Sequence, residues 1–571
     1  MVPFQEFLKE PKIAYFSMEA GILNDMPTYS GGLGVLAGDT IRSSADLKLP
    51  FIAVTLLCRK GFFYQNIDEN GKQTESPVSW EPSRFMTLLP EKVKIKIEGR
   101  DVYVQAWLYV VSSLTGGMVP VFFLDTNIAE NAPDDREITS HLYGGDNRYR
   151  LKQEIVLGLG GVRILKALSF QIKKYHMNEG HAALLTLELL LSYKKDIESV
   201  WDERFIWDTE TVKDLCVFTT HTPVEAGHDK FPYDMVKEVI GEPIPFNVLR
   251  ELAGRDNLNM TLLALNLSKY VNGVAKKHGE VSKSLFPGYE IHAITNGVHS
   301  YTWTCESFIR LYDRYLSGWA NEPEVFVRIG KIPDEEIWDA HIQAKKRLLD
   351  YVKETTGVEM DLEALTIGFA RRATAYKRAD LLFSDLGRLK KIAQKGKLQI
   401  IYAGKAHPND RPGKKLIETI HGYIRELKGI INVAYLKNYN MDIALKLISG
   451  VDMWLNTPLR PREASGTSGM KAAHNGVLNF SVLDGWWIEG HIEGYTGWSI
   501  GPAPSEVKLT ETADTKDADD LYYKLEEIIM PIFYNDRRTW IRMMQNTIGK
   551  NAYYFNSHRM MRRYVTEAYI R

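Results

Sequence analysis

The sequence predicts an α/β protein with two parallel-sheet domains, and three observations carry that expectation. Short apolar runs alternate with longer amphipathic segments over two long stretches, one on each side of the turn Asn296-Gly297. At 571 residues the chain is too long for a single hydrophobic core. Glycines, hydroxyls and cations gather just after the apolar runs, at the strand ends where open α/β sheets bind ligands.

In chain order, strands are expected at 13–16, 51–57, 102–111, 119–124, 215–219 and 291–294. The segment 36–47 separates the first two, and 153–168 and 182–193 have helical periodicity. A helix is expected at 334–355. Strands then resume at 365–369, 398–402, 431–435, 453–455 and 478–482, with helices at 379–394 and 441–449 between them. The boundary falls at 297–304, giving an N-terminal domain 1–297, a C-terminal domain 298–545 and a helical tail 546–571. In that tail Ser557 is the expected N-cap. Met560, Met561, Tyr564, Val565 and Ala568 share one face, so the tail should dock. No internal repeat or low-complexity tract interrupts the chain.

Composition excludes several classes. The 71 basic and 72 acidic residues give a net charge of -1, with no electrostatic reason for a nucleic-acid or membrane-surface partner. Three scattered cysteines, Cys58, Cys216 and Cys305, form neither a disulfide framework nor a zinc motif, and they suit a reducing compartment. No metal site is expected. With no leader pattern and no apolar run of membrane-spanning length, a cytoplasmic enzyme is expected.

The most telling stretch is Glu463 to Lys471, EASGTSGMK. Its Ser/Gly/Thr loop enters a short helix closed by Asn475-Gly476, and such a loop turns backbone N–H groups and hydroxyls onto one point, an anion site. Lys471 lies in the first turn, where a cation opposes the helix dipole, so something other than helix stability should explain it. A second device follows the strand at 365–369: Arg371, Arg372, Lys377 and Arg378, four cations in eight residues. Two anion-binding devices in one domain point to two neighbouring phosphates. A glycine loop at 31–34 matches the dinucleotide pattern G-x-G-x-x-A from Gly32, but no strand precedes it, so that reading fails. Ser468 to Lys471 matches S-x-x-K without its companion motifs, and metalloprotease, α/β-hydrolase and P-loop signatures are absent.

The Glu463–Lys471 segment resembles the pyridoxal-phosphate lysine segment of the α-glucan (glycogen, starch, maltodextrin) phosphorylases. The likeness extends in order through Ala14 to Glu19, Gly31 to Gly34, Thr220-His221-Thr222, Thr295-Asn296-Gly297, Arg371 to Arg378, Asn438-Tyr439 and Asp484-Gly485. It implies two Rossmann-like domains facing across a cleft, the GT-B glycosyltransferase architecture. It also implies reversible, retaining phosphorolysis of α-1,4-glucan to glucose 1-phosphate, with pyridoxal 5′-phosphate held as a Schiff base on Lys471 and its phosphate relaying a proton.

By the same resemblance Gly466, Thr467, Tyr439, Arg371 and Lys377 hold the cofactor phosphate. Arg372, Lys377 and the Gly32 backbone hold the substrate phosphate. Glu463, Ser465, Gly466, His221 and Asn296 bind the glucosyl unit, with Glu19 assigned to the substrate side and the His221 carbonyl to an oxocarbenium-like state. The chain departs from the family at Arg371 (commonly Lys), Thr374 (commonly His), Ser30 (commonly Asn) and Ser468-Gly469 (commonly Gly-Asn). An arginine fork does not replace a lysine point charge one for one, which leaves the cofactor contact of Arg371 open. The short N-terminus implies a short prokaryotic type without phosphorylation or nucleotide control, and the resemblance leaves a homo-oligomer open. The alternatives are a nucleotide-sugar glucosyltransferase of glycogen synthase type, a phosphorylase for another glucoside, and a non-catalytic glucan-binding protein.

Overall fold

The computed structural model describes residues 4–196, 203–503 and 513–570. Met1 to Pro3, part of the stretch read for a leader, and Arg571 of the expected tail lie outside them. Two large sheets organise the chain. The first has nine strands in the order His292–Ala293, Tyr270–Gly273, Cys216–Thr219, Ile172–Asn178, Lys12–Ser17, Phe51–Leu56, Met118–Asp125, Arg100–Ser112 and Thr87–Ile97. Pairing is parallel as far as Met118–Asp125 and antiparallel for the last two strands. The second sheet has six parallel strands in the order Asn432–Leu436, Leu398–Ala403, Leu365–Ala370, Met453–Asn456, Leu478–Val482 and Gly497–Ile500.

Burial explains why the central strands read as apolar runs. Lys12–Ser17, Phe51–Leu56, Leu365–Ala370 and Leu398–Ala403 are buried at every position, as parallel strands covered on both faces must be. The strand Ile172–Asn178 is not among the expected ones, because Lys173 and Lys174 interrupt its apolar pattern. There the Lys174 ammonium is absorbed by the Asp214 carbonyl. The expected helix at 379–394 is two pieces: a 3₁₀ turn at Leu381–Phe383, then Leu386–Lys395, which Asp385 starts afresh by accepting from the Arg388 N–H at 2.8 Å. No described helix is long and apolar enough to cross a membrane.

Two segments cross between the sheets. The hairpin Phe63–Ile67/Gln73–Pro77 lies on the second sheet: Gln65 donates to the Gly404 carbonyl, Gln73 to that of Ala406, and Lys405 and Lys437 to those of Phe63 and Ile67. The helix Arg537–Thr547 and the turn that follows still pack in the second core. The chain then recrosses at Asn556, so close to its outward passage that a Cβ on Gly297 would stand 2.1 Å from the Asn556 carbonyl oxygen. Beyond the crossing, helix Ser557–Tyr564 is capped by Asn556, not by Ser557 as expected. The Ser557 hydroxyl instead meets that of Ser43. Met560, Met561, Tyr564 and Ala568 do form the docking face, packed with Ile13, Tyr15, Leu36 and Ile41 of the first core. Met561→Ala, at a position with no exposure, should therefore cost about 2–5 kcal/mol in chemical denaturation. A loss under about 0.5 kcal/mol, the size of an ordinary surface change, would show that the tail is not part of the core.

Candidate active site

The strand ends of both sheets open onto one cavity of about 560 Å³. From the first half come Tyr29 to Leu33, His221 and Asn296, and from the connection just after it Trp303. From the second come Arg371, Arg372, Thr374, Lys377, Lys405, Tyr439, Glu463 to Ser468 and Lys471. Of the cofactor, substrate and anion-binding residues that the sequence singled out, the cavity gathers all but Glu19 and Arg378. Five of its side chains are basic and one, Glu463, is a carboxylate.

Arg371 and Arg372 follow the strand Leu365–Ala370 directly, and the 3₁₀ turn Ala375–Lys377 brings Lys377 back beside them. The Arg371 Nη2 lies 2.8 Å from Glu463 Oε2, and the Lys377 ammonium donates to the same oxygen. Burial raises the Glu463 carboxyl, but the Arg371 and Lys377 charges outweigh it and hold its pKa at about 2. Lys377 is pushed down to about 7 by burial and then by the Arg371 charge, against the pull of Glu463. One carboxylate cannot compensate this many cations, so the geometry asks for an anion. The Arg372 guanidinium forms no ion pair or hydrogen bond among the described residues and reaches the opposite wall. A Cβ on Gly31 would stand 2.5 Å from its Nη2. The fourth cation of the cluster, Arg378, turns away to Asp514, Asp517 and the Thr457 and Pro458 carbonyls, so it braces the turn and does not face the cavity.

The glycine loop opens the helix Gly32–Asp46, and Glu19 holds it from behind. Glu19 Oε2 accepts from the Ser30 and Gly31 N–H groups at 2.6 and 3.0 Å, and Oε1 accepts from the Tyr143 hydroxyl at 3.0 Å. A side chain on Gly34 would strike Tyr29 and this carboxylate. Glu19 is therefore off the cavity wall, contrary to its expected place on the substrate side: one oxygen is spent on the loop and the other on Tyr143. Gly32 faces open space.

Lys471 lies in the short helix Ser468–Ala473, with Thr467 at its N-cap position and Gly466 at φ +82°, a backbone that favours glycine. Its ammonium sits 3.7 Å over the Trp303 ring and has no ion pair among the described residues. Burial lowers its pKa to about 8, against the raising effect of Asp39. Trp303 Nε1 donates to Asp39, and Asn475 ties the Trp303 and Lys471 carbonyls together. Three buried groups here have no protein partner: Arg371 Nη1, Thr374 Oγ1 and Ser465 Oγ. On the other side His221 Nε2 lies 2.6 Å from Asn178 Oδ1, and its N–H donates to Glu179 Oε2. Burial, then the His278, His176 and His181 charges, lower its pKa to about 3, so the ring is neutral. Asn296 Oδ1 is buried without a partner, and its carbonyl accepts from Arg559.

Three residues of the site escape a reading of the sequence: Trp303, Asn178 and Glu179. Trp303 stands seven residues after Asn296, inside the turn that the sequence marks only as a boundary. Asn178 and Glu179 end the strand hidden by its lysines, and Glu179 adopts φ +78°, a conformation uncommon away from glycine.

With this geometry in view, similarity to known proteins settles the class. The carbohydrate phosphorylase family model matches residues 245–497. The chain is 40% identical to a maltodextrin phosphorylase of Thermococcus litoralis, over 98% of this chain and 70% of that protein. It is 36% identical to a glycogen phosphorylase of Aquifex aeolicus, over 99% and 87%, and to one of Mycobacterium bovis, over 98% and 70%. The chain belongs to the carbohydrate phosphorylase family.

The Lys471 environment makes a pH prediction. An amine reacts with an aldehyde only when neutral, and a pKa near 8 makes about a tenth of Lys471 neutral at pH 7, with the fraction growing as pH rises through 8. Borohydride trapping of pyridoxal phosphate on the ligand-free protein, mapped by peptide mass, should be half-maximal near pH 8 and level off about one to two units above it. A yield at Lys471 still climbing towards pH 10.5 would mean that the amine is ordinary.

Proposed function

We propose that this chain is an α-glucan phosphorylase, which transfers the terminal glucosyl unit of an α-1,4-glucan to inorganic phosphate with retention and releases glucose 1-phosphate. The observation that carries this is the buried excess of cations, contributed by the ends of two sheets and facing a single carboxylate. That carboxylate, Glu463, is ionised by its own partners and has no proton to give at neutral pH. Two carboxyls poised as acid and base, the glycosidase arrangement, do not face this cavity. The acid is then the phosphate itself, held by fixed charge.

The residues suit pyridoxal 5′-phosphate. Lys471 offers a buried amine with a lowered pKa as its attachment point, and Arg371 Nη1, Thr374 Oγ1 and Ser465 Oγ are polar atoms in need of partners. Gly466, Thr467, Tyr439, Arg371 and Lys377 would hold its phosphate. When bound, the group supplies a second phosphate beside the substrate phosphate. Arg372, Lys377 and the glycine-loop backbone at Gly32 bind and orient inorganic phosphate, and desolvation in the cavity strengthens each of these contacts. An anion beside Lys377 offsets the cause of its lowered pKa and keeps it charged. Glu463, Ser465 and Asn296 hold the glucosyl hydroxyls. As positive charge develops on the sugar, neutral His221 does not oppose it. In this reading the two sheets are the Rossmann-like halves of a GT-B cleft, with domains 1–297 and 298–545 and a tail that returns to the first, working as a soluble cytoplasmic enzyme.

Two variants test the reading through glucose 1-phosphate release from maltodextrin and phosphate. Lys471→Ala should abolish both the near-ultraviolet or visible cofactor absorbance and turnover. Arg372→Ala should lower kcat/KM for phosphate about 10²–10³-fold, as loss of one oriented donor does, while the glucan KM stays within a few-fold. A wild type that is colourless and releases no sugar phosphate, or an Arg372→Ala that weakens phosphate and glucan alike, would contradict the assignment.

A further inference from the structure

Away from the cavity, three residues far apart in sequence converge on one point: Asp46, His299 and His558, with donor atoms all within 4.8 Å of one another. Asp46 is the last residue of helix Gly32–Asp46, His299 follows the turn at Asn296, and His558 lies in the first turn of the tail helix. Their side chains are 9%, 7% and 0% exposed. His299 Nε2 lies 2.7 Å and His558 Nε2 3.1 Å from the same oxygen, Asp46 Oδ2. His558 makes no hydrogen bond through either ring nitrogen, although the ring is fully buried. A buried ring whose Nδ1 has no partner and whose Nε2 has only this poorly aligned contact with Asp46 is costly. A carboxylate at a helix C-terminus also faces the unfavourable end of the dipole. Both costs are offset if a cation stands between them.

We propose that Asp46, His299 and His558 bind one divalent cation of the zinc class. Two imidazole nitrogens and one carboxylate oxygen are donors that such an ion accepts. Donors around a tetrahedral zinc ion stand about 3.3 Å apart, so the pair at 2.7 Å must open by about half an ångström and the wider separations, all within 4.8 Å, must close towards the ion. The ligands already have outer contacts: His299 Nδ1 lies 2.7 Å from the Thr302 hydroxyl, and Asp46 Oδ1 accepts from Ser113. For Nε2 to bind the metal, the proton that it shares with Asp46 moves, through solvent, to Nδ1, where it donates to Thr302 Oγ1 in place of the weak 3.3 Å contact that Nδ1 accepts from the Thr302 N–H, so the ring stays neutral. The ion clips together the two passages of the chain, outward at Asn296–His299 and inward at Asn556–His558. It thereby steadies the wall that carries Asn296 and Trp303.

The test uses the full chain, stripped with a chelator and desalted, then titrated with Zn²⁺ against a chromophoric competitor. One equivalent should bind, and Asp46→Asn and His558→Gln should each weaken it by at least about tenfold. Co²⁺ added to the wild type should give ligand-field bands in the visible, a readout that does not depend on the variants folding. Absence of a stoichiometric Zn²⁺ site and of Co²⁺ bands, or folded variants that bind as tightly as wild type, would overturn the proposal and leave the three residues as a hydrogen-bonded cluster.

Discussion

Everything in the central cavity depends on an electrostatic imbalance. Arg371, Lys377 and Glu463 make a buried knot in which one carboxylate oxygen serves two cations, and Arg372, Lys405 and Lys471 add positive charge without a second acid on the wall. Burial magnifies each of these interactions, which is why Glu463 is held at about 2 while Lys377 falls to about 7. The two shifts look inconsistent for one ion pair. They agree once burial and the arginine are counted: burial is the larger cause of the lowered ammonium, and Arg371 adds to it by repulsion while stabilising the carboxylate. A phosphate relieves the charge strain among these groups.

The fold delivers that imbalance by lining one cavity with residues that follow strands of both sheets. The second sheet carries the basic turn and the Lys471 loop, the first carries the glycine loop, His221 and Asn296, and each side is braced by groups that never touch the cavity. Glu19 holds the glycine loop, Asn178 and Glu179 hold His221, and Arg559 of the tail holds the Asn296 carbonyl. The hairpin at 63–77 and the tail from Ser557 each cross to the opposite sheet, and Glu489 accepts from the Lys276 N–H and the Thr295 hydroxyl, so ties beyond the chain connection at Gly297 join the halves.

The buried strands are legible in the sequence because parallel strands covered on both faces carry continuous apolar runs, and the anion devices because Gly/Ser/Thr loops and clustered cations have a local chemical reason. What stays hidden is set by tertiary context. The strand Ile172–Asn178 is masked by Lys173 and Lys174, the break before Leu386 depends on one Asp385 cap, and Trp303 gains meaning only with Lys471 above it. The family resemblance alone assigns Glu19 to the substrate side. Only its two backbone hydrogen bonds reveal a bracing role. Asp46, His299 and His558 have no spacing motif at all, since three separate segments supply them.

The central claim, that the cavity holds underprotonated amines waiting for an anion, has a direct measurement. Sulfate stands in for phosphate and does not titrate near neutrality, so calorimetry of sulfate binding to the cofactor-free protein, in buffers of different ionisation enthalpy, reads proton uptake by the protein. With Lys377 at about 7 and Lys471 at about 8, binding near pH 8 should take up protons, and Lys377→Arg should remove its share. Tight sulfate binding with no proton uptake, or the same uptake in Lys377→Arg, would contradict the account.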